Sequence, residues 1–242
     1  MFGGELGSSL KRVLLKISGE ALGSEGGLRF REEVLDSLAT QLSKTQALGS
    51  QVALVIGGGN ILRGGADGSA LGLPRVSADF MGMLATVINA VALEGFFTSR
   101  GIPTKVMTPF SLQAYVELYS AQRADHYLEE GWLVILAGGT GNPYFSTDSA
   151  AALRAAELKT NLLIKATKVN GVYDSDPVVN PQARRYDQLS FKKVLEDDLK
   201  VMDLTAISLC AENAIPIRVV DLFEGENILA LIRGESVGTL VS

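Results

Sequence analysis

The chain has 242 residues but only one histidine, His126, and one cysteine, Cys210. A single cysteine excludes an internal disulfide and is typical of a protein of the reducing cytosol. Zinc sites built from two histidines or from a cysteine cluster are excluded as well. A Ser-His-Asp hydrolase would have to use His126, which lies in residues 124–130, a segment with the pattern of a mostly polar helix face. Acid, base or charge-stabilising chemistry therefore falls to carboxylates, lysines and arginines.

The sequence also has little that is typical of membrane or secreted proteins. No uninterrupted apolar run approaches the roughly 18 residues of a membrane span. The first residues do not show the basic stretch followed by an apolar one that marks a secretory signal. We expect residues 1–10 to form a flexible tail and the protein to be cytoplasmic. The net charge of −5 argues against nucleic acid or an acidic membrane as a partner, but an anionic small molecule needs only local positive charge.

Alternating strand and helix patterns predict the fold class. Apolar runs typical of buried strands cover residues 13–17, 52–56, 105–107, 132–136, 162–164, 217–220 and 238–241, and helical spacing covers residues 31–48, 79–100, 149–159 and 204–214. We expect Leu84, Ile88 and Val91 in the longest helix to face inward, and the strand over residues 238–241 to close the sheet edge. Residues 174–187 are expected to form a long loop. The order predicts an α/β fold, a three-layer α/β/α sandwich with a mostly parallel central sheet.

Glycine is abundant, with 26 residues, and the excess lies where predicted strands end. The strand over residues 52–56 runs into three glycines, residues 57–59, and the strand over 132–136 runs into the glycine-rich residues 138–143. In open α/β sheets, ligands bind outside the carboxyl ends of the strands. Glycines there let backbone N–H groups approach an anion. Two such loops predict an anion site.

The loops lack the common nucleotide signatures, but basic residues stand beside them. No Gly-Lys dipeptide occurs, which excludes a P-loop, and residues 57–62 lack the third glycine of a dinucleotide fingerprint. Lys16 and Lys165 each end a predicted strand, and Arg63 follows the three glycines. Each could instead reach the surface along its aliphatic stem. Asp148, which opens the helix after the second loop, could stabilise that helix end or hold the two lysines in place.

The near absence of histidine agrees with phosphoryl transfer to a phosphate group. Such transfer needs positioning and charge neutralisation more than covalent chemistry. A phosphomonoester has a second pKa of about 6 and is therefore mostly a dianion at neutral pH. Its oxygen attacks without a general base. Lysines, an arginine, backbone N–H groups and Mg²⁺ would suffice for a kinase of this kind.

Five motifs, in order along nearly the whole chain, resemble the bacterial uridylate kinases of the amino acid kinase superfamily. The motifs are LLKISGEAL at residues 14–22, VIGGGN at 55–60 with Arg63 and Gly64, DFMGMLAT at 79–86, GTGNPYFSTDSAA at 139–151, and KATKVNGVY at 165–173 with Asp176; residues 200–203 and 216–219 add support. The resemblance implies transfer of the γ-phosphoryl group of ATP to UMP, giving ADP and UDP, with Mg²⁺, in pyrimidine nucleotide biosynthesis. It also implies a homohexamer in which the helix over residues 79–100 contributes to subunit contacts.

The resemblance further implies roles for single residues. Those expected at ATP are Lys16, Ile17, Ser18, Gly19, Gly59, Arg63, Thr167, Tyr173 and Asp176. Those expected at UMP are Gly58, Asp79, Thr140, Gly141, Asn142, Pro143, Tyr144, Phe145, Ser146 and Thr147. Lys16, Lys165 and Arg63 would stabilise the transferring phosphoryl group, and Asp148 would orient the two lysines. We expect one domain over residues 11–242, in which about 11–160 bind the acceptor and about 161–242 bind ATP.

Some positions depart from the family pattern, and alternatives exist. Residues 25–30 differ, which leaves activation by GTP and inhibition by UTP open; Asn170 replaces a common aspartate, and residues 77–78 match loosely.

A related kinase acting on a carboxylate, a carbamate or another phosphate is the nearest alternative, against which the third and fourth motifs argue. A storage protein of the same fold would need more histidines. A non-catalytic nucleotide sensor is expected to have lost Lys16, Lys165 or Asp148.

Overall fold

The computed structural model of the chain describes residues 10–23, 30–63, 68, 70–177 and 179–242. Most of the predicted N-terminal tail lies outside these residues. So does most of the stretch over residues 25–30 that departs from the family pattern.

In the described part of the chain, nine strands form one sheet. They are β1 (Arg12–Ile17), β2 (Gln51–Ile56), β3 (Thr104–Thr108), β4 (Glu117–Leu118), β5 (Leu133–Leu136), β6 (Leu162–Thr167), β9 (Gln188–Leu189), β10 (Ile217–Asp221) and β11 (Thr239–Val241), and a separate hairpin pairs β7 (Val172–Tyr173) with β8 (Arg185–Tyr186). The order across the sheet is β4-β3-β5-β2-β1-β6-β10-β11-β9. Every neighbouring pair is parallel except β10 and β11. The predicted mostly parallel sheet is confirmed.

The short strands correct two details of the prediction. The last predicted strand, β11, is not at the sheet edge, because β9 pairs outside it. The predicted loop over residues 174–187 contains β8, which pairs with β7. The four unpredicted strands, β4, β7, β8 and β9, each have two residues, too few to display the alternation by which a strand is recognised in a sequence.

Helices cover both faces of the sheet. They are α1 (Gly19–Leu22), α2 (Glu32–Ala47), α3 (Arg75–Ser99), α4 (Ala121–Glu129), α5 (Thr147–Glu157), α6 (Phe191–Glu196), α7 (Leu204–Glu212) and α8 (Asn227–Ile232). Alternate side chains of β1 enter opposite cores: Val13 and Leu15 belong to the core that holds residues of α2, α3 and α8, and Leu14 belongs to the core that holds residues of α4, α5 and α7. The predicted three-layer α/β/α sandwich is confirmed.

The 25-residue helix α3 is apolar on two sides. Leu93 and Phe97 are fully buried in the core, whereas Leu84, Ile88 and Val91 are 37%, 49% and 42% exposed. The prediction that these last three face inward was wrong, because a helix with two apolar faces gives no sign of which one meets the sheet. Among the described residues, α3 is the one helix long and apolar enough to cross a membrane, with a mean hydropathy of 1.6 over 18 residues, of which 44% are buried in the protein.

The topology gathers the predicted site at one edge of the sheet. Strands β2, β1 and β6 are adjacent and parallel, so their carboxyl ends lie side by side. Lys16 on β1 pairs with Lys165 on β6. All sheet strands before residue 160 lie on the β1 side of this pair, and all later ones lie on the β6 side.

Candidate active site

Two lysines and an aspartate form the centre of the candidate site. Because Lys16 and Lys165 are partners in neighbouring strands, their side chains leave the same face of the sheet. Asp148, in the first turn of α5, lies between them, with Oδ1 at 2.5 Å from Nζ of Lys16 and Oδ2 at 2.9 Å from Nζ of Lys165. Lys165 also donates to the carbonyl of Val201 at 2.6 Å. Like charges in paired positions repel, so this carboxylate is needed to hold both ammonium groups together.

Burial sets the electrostatics of this cluster. Burial would raise the pKa of Asp148, but the adjacent Lys16 and Lys165 ammonium groups outweigh it and hold that pKa below its ordinary value. The pKa of Lys165 is lowered, because burial and the nearby Lys16 charge outweigh the stabilising Asp148 carboxylate. The three side chains are thus coupled, and the Asp148 carboxylate favours the charged form of Lys165 against the effect of burial.

The start of α5 is held by Ser146 together with Asp203, and Asp203 was not among the predicted site residues. The Ser146 hydroxyl accepts from the backbone N–H groups of Asp148 and Ser149 at 2.9 and 3.2 Å. Asp203 in turn accepts from the hydroxyls of Ser146 and Ser149 and caps α7 through the N–H of Ala206 at 2.9 Å. One carboxylate thus joins two helix starts beside Asp148. In the sequence, the only indication of a role for Asp203 was its place in the supporting motif at residues 200–203.

A cavity of about 390 Å³ opens on the β2 side of the cluster. Its walls are formed by the loop after β2, the first turns of α3 and the loop that precedes α5. The lining residues are Gly58, Gly59, Leu62, Arg63, Arg75, Asp79, Gly82, Met83, Thr86, Gly139, Asn142, Tyr144, Phe145, Ser146 and Thr147. Seven of the ten residues predicted at UMP are therefore on the wall of one cavity. The other three, Thr140, Gly141 and Pro143, stand in the same loop but are not lining residues.

Asp79 already has protein partners in this cavity. Both of its carboxylate oxygens accept from Nε of Arg75 at 2.8 Å, and Oδ2 also accepts from the backbone N–H of Tyr144 at 2.8 Å. Tyr144 has a φ of 72°, which is unfavourable for a residue with a side chain. The Asp79 carboxylate thus fixes the strained loop to α3. Arg75, which the sequence analysis did not single out, completes this contact and stacks 5.3 Å from the Tyr144 ring.

The three-glycine loop presents backbone donors to the same cavity. A Cβ on Gly58 would lie 2.8 Å from the Cβ of Ala85, so only glycine lets this loop pack directly on α3. Among the described residues, no protein acceptor takes the N–H of Gly58 or Gly59. Beyond them, Arg63, whose side chain is 63% exposed, pairs with Glu20 at 2.5 Å. The loop and the arginine can therefore meet an anionic group.

A second cavity, of about 430 Å³, opens on the β6 side of the cluster. Its lining includes four predicted residues: Lys165, Thr167, Tyr173 and Asp176. The Tyr173 hydroxyl donates to Oδ1 of Asn170. The acidic residues 197–198 and Lys200 also line this cavity.

The remaining predicted residues lie between or beside the two cavities. Residues 16–19 run from the end of β1 into α1 and line neither one. The Ile17 side chain is fully buried, so only its backbone is available to a ligand. His126 is exposed on α4, pairs with Glu130 and lines neither cavity. Among the described residues, no group of three or more His, Cys, Asp or Glu side chains is arranged to hold a metal ion.

The chain is similar to known proteins in sequence and in fold. The model of the amino acid kinase family matches residues 11–221. The chain is 49% identical over 231 residues to a chloroplast protein of Arabidopsis thaliana named uridylate kinase PUMPKIN, covering 96% of this chain and 68% of that protein. Crystal structures of UMP kinases from Bacillus anthracis and Ureaplasma parvum superpose with TM-scores of 0.92 and 0.89, each at 37% identity. The superpositions cover 96% of this chain and 96% and 99% of the respective structures.

Proposed function

The chain belongs to the amino acid kinase family, and we propose that it is a nucleoside monophosphate kinase that transfers the γ-phosphoryl group of ATP to UMP. The observation that carries the proposal is the position of the Lys16–Asp148–Lys165 cluster between two separate cavities. A two-substrate phosphoryl transfer needs one nucleotide on each side of such a cluster. Relatives named uridylate kinase or UMP kinase supply the identity of the acceptor.

UMP binds in the cavity on the β2 side. Its phosphate meets the N–H group of Gly58. Gly59 and Arg63, expected at ATP from the sequence, line the same cavity and therefore lie where the two phosphates meet. Asp79 accepts from the ribose hydroxyls, for which a carboxylate has lone pairs beyond the two protein donors already bound. The loop over residues 140–147 surrounds the uracil.

ATP binds in the cavity on the β6 side. Tyr173 offers an aromatic surface to the adenine, with Thr167 and Asp176 beside the ribose. The triphosphate extends past Lys165 toward residues 16–19, whose backbone begins the short helix α1. The γ-phosphoryl group then lies between the two lysines, facing the UMP phosphate.

In the reaction, an oxygen of the UMP phosphate attacks the γ-phosphorus and the bond to the β,γ-bridging oxygen breaks. Negative charge accumulates on the equatorial oxygens and on the leaving ADP. Lys16 and Lys165 neutralise this charge, and Asp148 holds them at the spacing that the transition state requires. No side chain has to remove a proton, because the attacking oxygen belongs to a dianion.

The Mg²⁺ that a kinase of this kind uses would be held mainly by the ATP phosphates and by water. Magnesium in kinases usually keeps several waters and binds phosphates with only one or two carboxylates, which fits a site whose single central carboxylate is held by two lysines. When bound, the ion would neutralise charge on the ATP phosphates.

The exposed face of α3 is the surface we assign to contact between copies of the chain. Leu84, Ile88 and Val91 on α3 line an apolar groove of about 490 Å³ with Leu112 and Tyr115. Apolar grooves of this kind mark protein contacts, and the family resemblance implies a homohexamer. GTP and UTP as effectors and a cytoplasmic location stay predictions.

The test is ADP release from ATP and Mg²⁺ with UMP, CMP, AMP, GMP and carbamate offered separately. We expect fast turnover with UMP alone. Turnover with another acceptor would discard the UMP assignments and keep the ATP half. Folded protein that binds ATP yet turns over none of them would favour a nucleotide sensor.

A further inference from the structure

Two polar residues in the middle of α3 are fully buried, among apolar neighbours. Thr86 is 2% exposed and Asn89 is 0% exposed, and the flanking Ala85, Val87 and Ala90 belong to the buried set. Burying an amide or a hydroxyl costs free energy unless its hydrogen bonds are satisfied. The contacts of both residues therefore indicate what they do.

Asn89 bonds the loop after β2. Its Nδ2 donates to the carbonyl of Gly57 at 2.7 Å and to Oδ1 of Asn60 at 2.7 Å, and its Oδ1 accepts from Nδ2 of Asn60 at 3.1 Å. In a trans peptide, C=O and N–H point in opposite directions. Binding the Gly57 carbonyl therefore turns the N–H of Gly58 away from α3.

The same network reaches the start of α1. A Cβ on Gly19 would lie 2.3 Å from Oδ1 of Asn60 and 2.7 Å from the carbonyl of Gly57. The loop after β1 therefore packs directly on the atoms that Asn89 holds. Asn89 thus sets the position of two loops, one assigned to ATP and one assigned to both nucleotides.

Thr86 bonds the loop after β5. Its hydroxyl donates to the carbonyl of Met83 at 2.7 Å and accepts from the N–H of Gly138 at 2.7 Å. Gly138 has a φ of 77° and begins the turn that leads to the acceptor loop. Thr86 also lines the cavity assigned to UMP.

We propose that Asn89 and Thr86 are positioning residues, through which α3 holds the glycine loops of the site at a fixed spacing. Thr86 acts on the acceptor loop alone, whereas Asn89 acts on loops from both sides of the transferring phosphoryl group. This inference rests on the proposed function only where it is tested by KM and kcat with UMP and ATP. Hydrogen bonding of the loops to α3 does not depend on which nucleotide binds.

Thr86→Val, which replaces the hydroxyl by a methyl group of similar size, is the main variant. Thr86→Ser restores the hydroxyl. Thr45→Val is the matched control, because Thr45 is a fully buried threonine on α2 whose hydroxyl has no partner among the described residues. For Asn89→Ala, the control is Val87→Ala, which truncates a buried neighbour without a hydrogen bond to either loop.

Loss of one such bond is expected to raise the KM for UMP about fivefold or more in Thr86→Val. The KM for ATP should stay within about twofold, Thr86→Ser should recover most of the effect, and Thr45→Val should show neither change. Asn89→Ala should lower kcat more than Val87→Ala does. Equal rises of both KM values in Thr86→Val, or no difference from Thr45→Val, would overturn the role of Thr86. Equal kcat values in Asn89→Ala and Val87→Ala would overturn that of Asn89.

Hydrogen exchange detected by mass spectrometry gives a readout without a substrate. In the full chain, Thr86→Val should accelerate exchange in peptides covering residues 137–142, and Thr86→Ser and Thr45→Val should not. Unchanged exchange in Thr86→Val would contradict the inference even if UMP is the acceptor. If the wild-type enzyme were inactive on UMP, that result would instead contradict the proposed function. The hydrogen-exchange result would then decide whether Thr86 positions the loop.

Discussion

The two cavities beside the lysine pair are built in different ways. The acceptor cavity is walled by the long helix α3, the start of α5 and loops bonded to them, and its one carboxylate at the α3 start is fixed by Arg75 and the Tyr144 backbone. The donor cavity is walled by the ends of β6 and β10, by the short strand β7 and by loops, and none of its lining residues belongs to a long helix. A cavity held by helices can reject poorly fitting ligands more strictly than one held by loops. We therefore expect selectivity for the acceptor to exceed selectivity for the donor.

The largest effect is expected where the two cavities meet. Asp148→Asn and Lys165→Ala should each lower kcat at least tenfold, because each disrupts the charge that faces the transferring group. Asp148→Asn also leaves two paired lysines without their counter-charge, which is expected to cost about 3–5 kcal/mol of stability. Activity is therefore measured on protein that circular dichroism and thermal melting show to be folded. Wild-type turnover in either folded variant would remove that residue from the mechanism.

A smaller and one-sided effect is expected within each cavity. Asp79→Ala should raise the KM for UMP by roughly tenfold and the KM for ATP much less, since a hydrogen bond to a charged group contributes about 1.5–3 kcal/mol. Tyr173→Leu should raise the KM for ATP more than the KM for UMP, by a smaller factor than Asp79→Ala raises the KM for UMP. Initial rates with each substrate varied in turn measure both. If either variant changed both KM values equally, its residue would support the fold rather than one cavity.

The smallest effect is a shift in pH dependence at the shared cluster. Burial lowers the pKa of Lys165, and the Asp148 carboxylate opposes this by favouring the charged form. Activity needs the charged form, so kcat is lost as pH rises through that pKa. Removing the carboxylate lowers the pKa further, and the alkaline limb of residual activity in Asp148→Asn should move to lower pH. A profile of kcat between pH 6 and 10 that superposes on the wild-type profile would show that Asp148 does not act on Lys165 in this way.

Residues at strand ends could be predicted from the sequence. Lys16 and Lys165 interrupt or end strongly apolar strands, and an α/β sheet brings such ends together, so their meeting follows from the fold class alone. The partner of these lysines, Asp148, was also predictable, because it opens the helix after a strand end. The three long parallel strands β1, β2 and β6 were recognisable because each is a strongly apolar run.

Residues that act through long-range packing could not be predicted in the same way. Asp203 joins α5 to α7 across more than 50 positions of sequence, and no local pattern marks that contact. Thr86 and Asn89 did leave a signal, as polar residues within an apolar helix, but the loops they bond come from distant strands. The orientation of α3 was also hidden, because apolar residues on its outer face resemble core residues.

Whether the chain has two separate nucleotide sites is decided by an equilibrium titration of UMP into the protein, by calorimetry, with and without a saturating non-hydrolysable ATP analogue and Mg²⁺. Two separate cavities on either side of the lysine pair predict that one UMP binds per chain in both conditions. Displacement of UMP by the ATP analogue would mean that the two nucleotides share one cavity. That result would contradict transfer between them across Lys16 and Lys165.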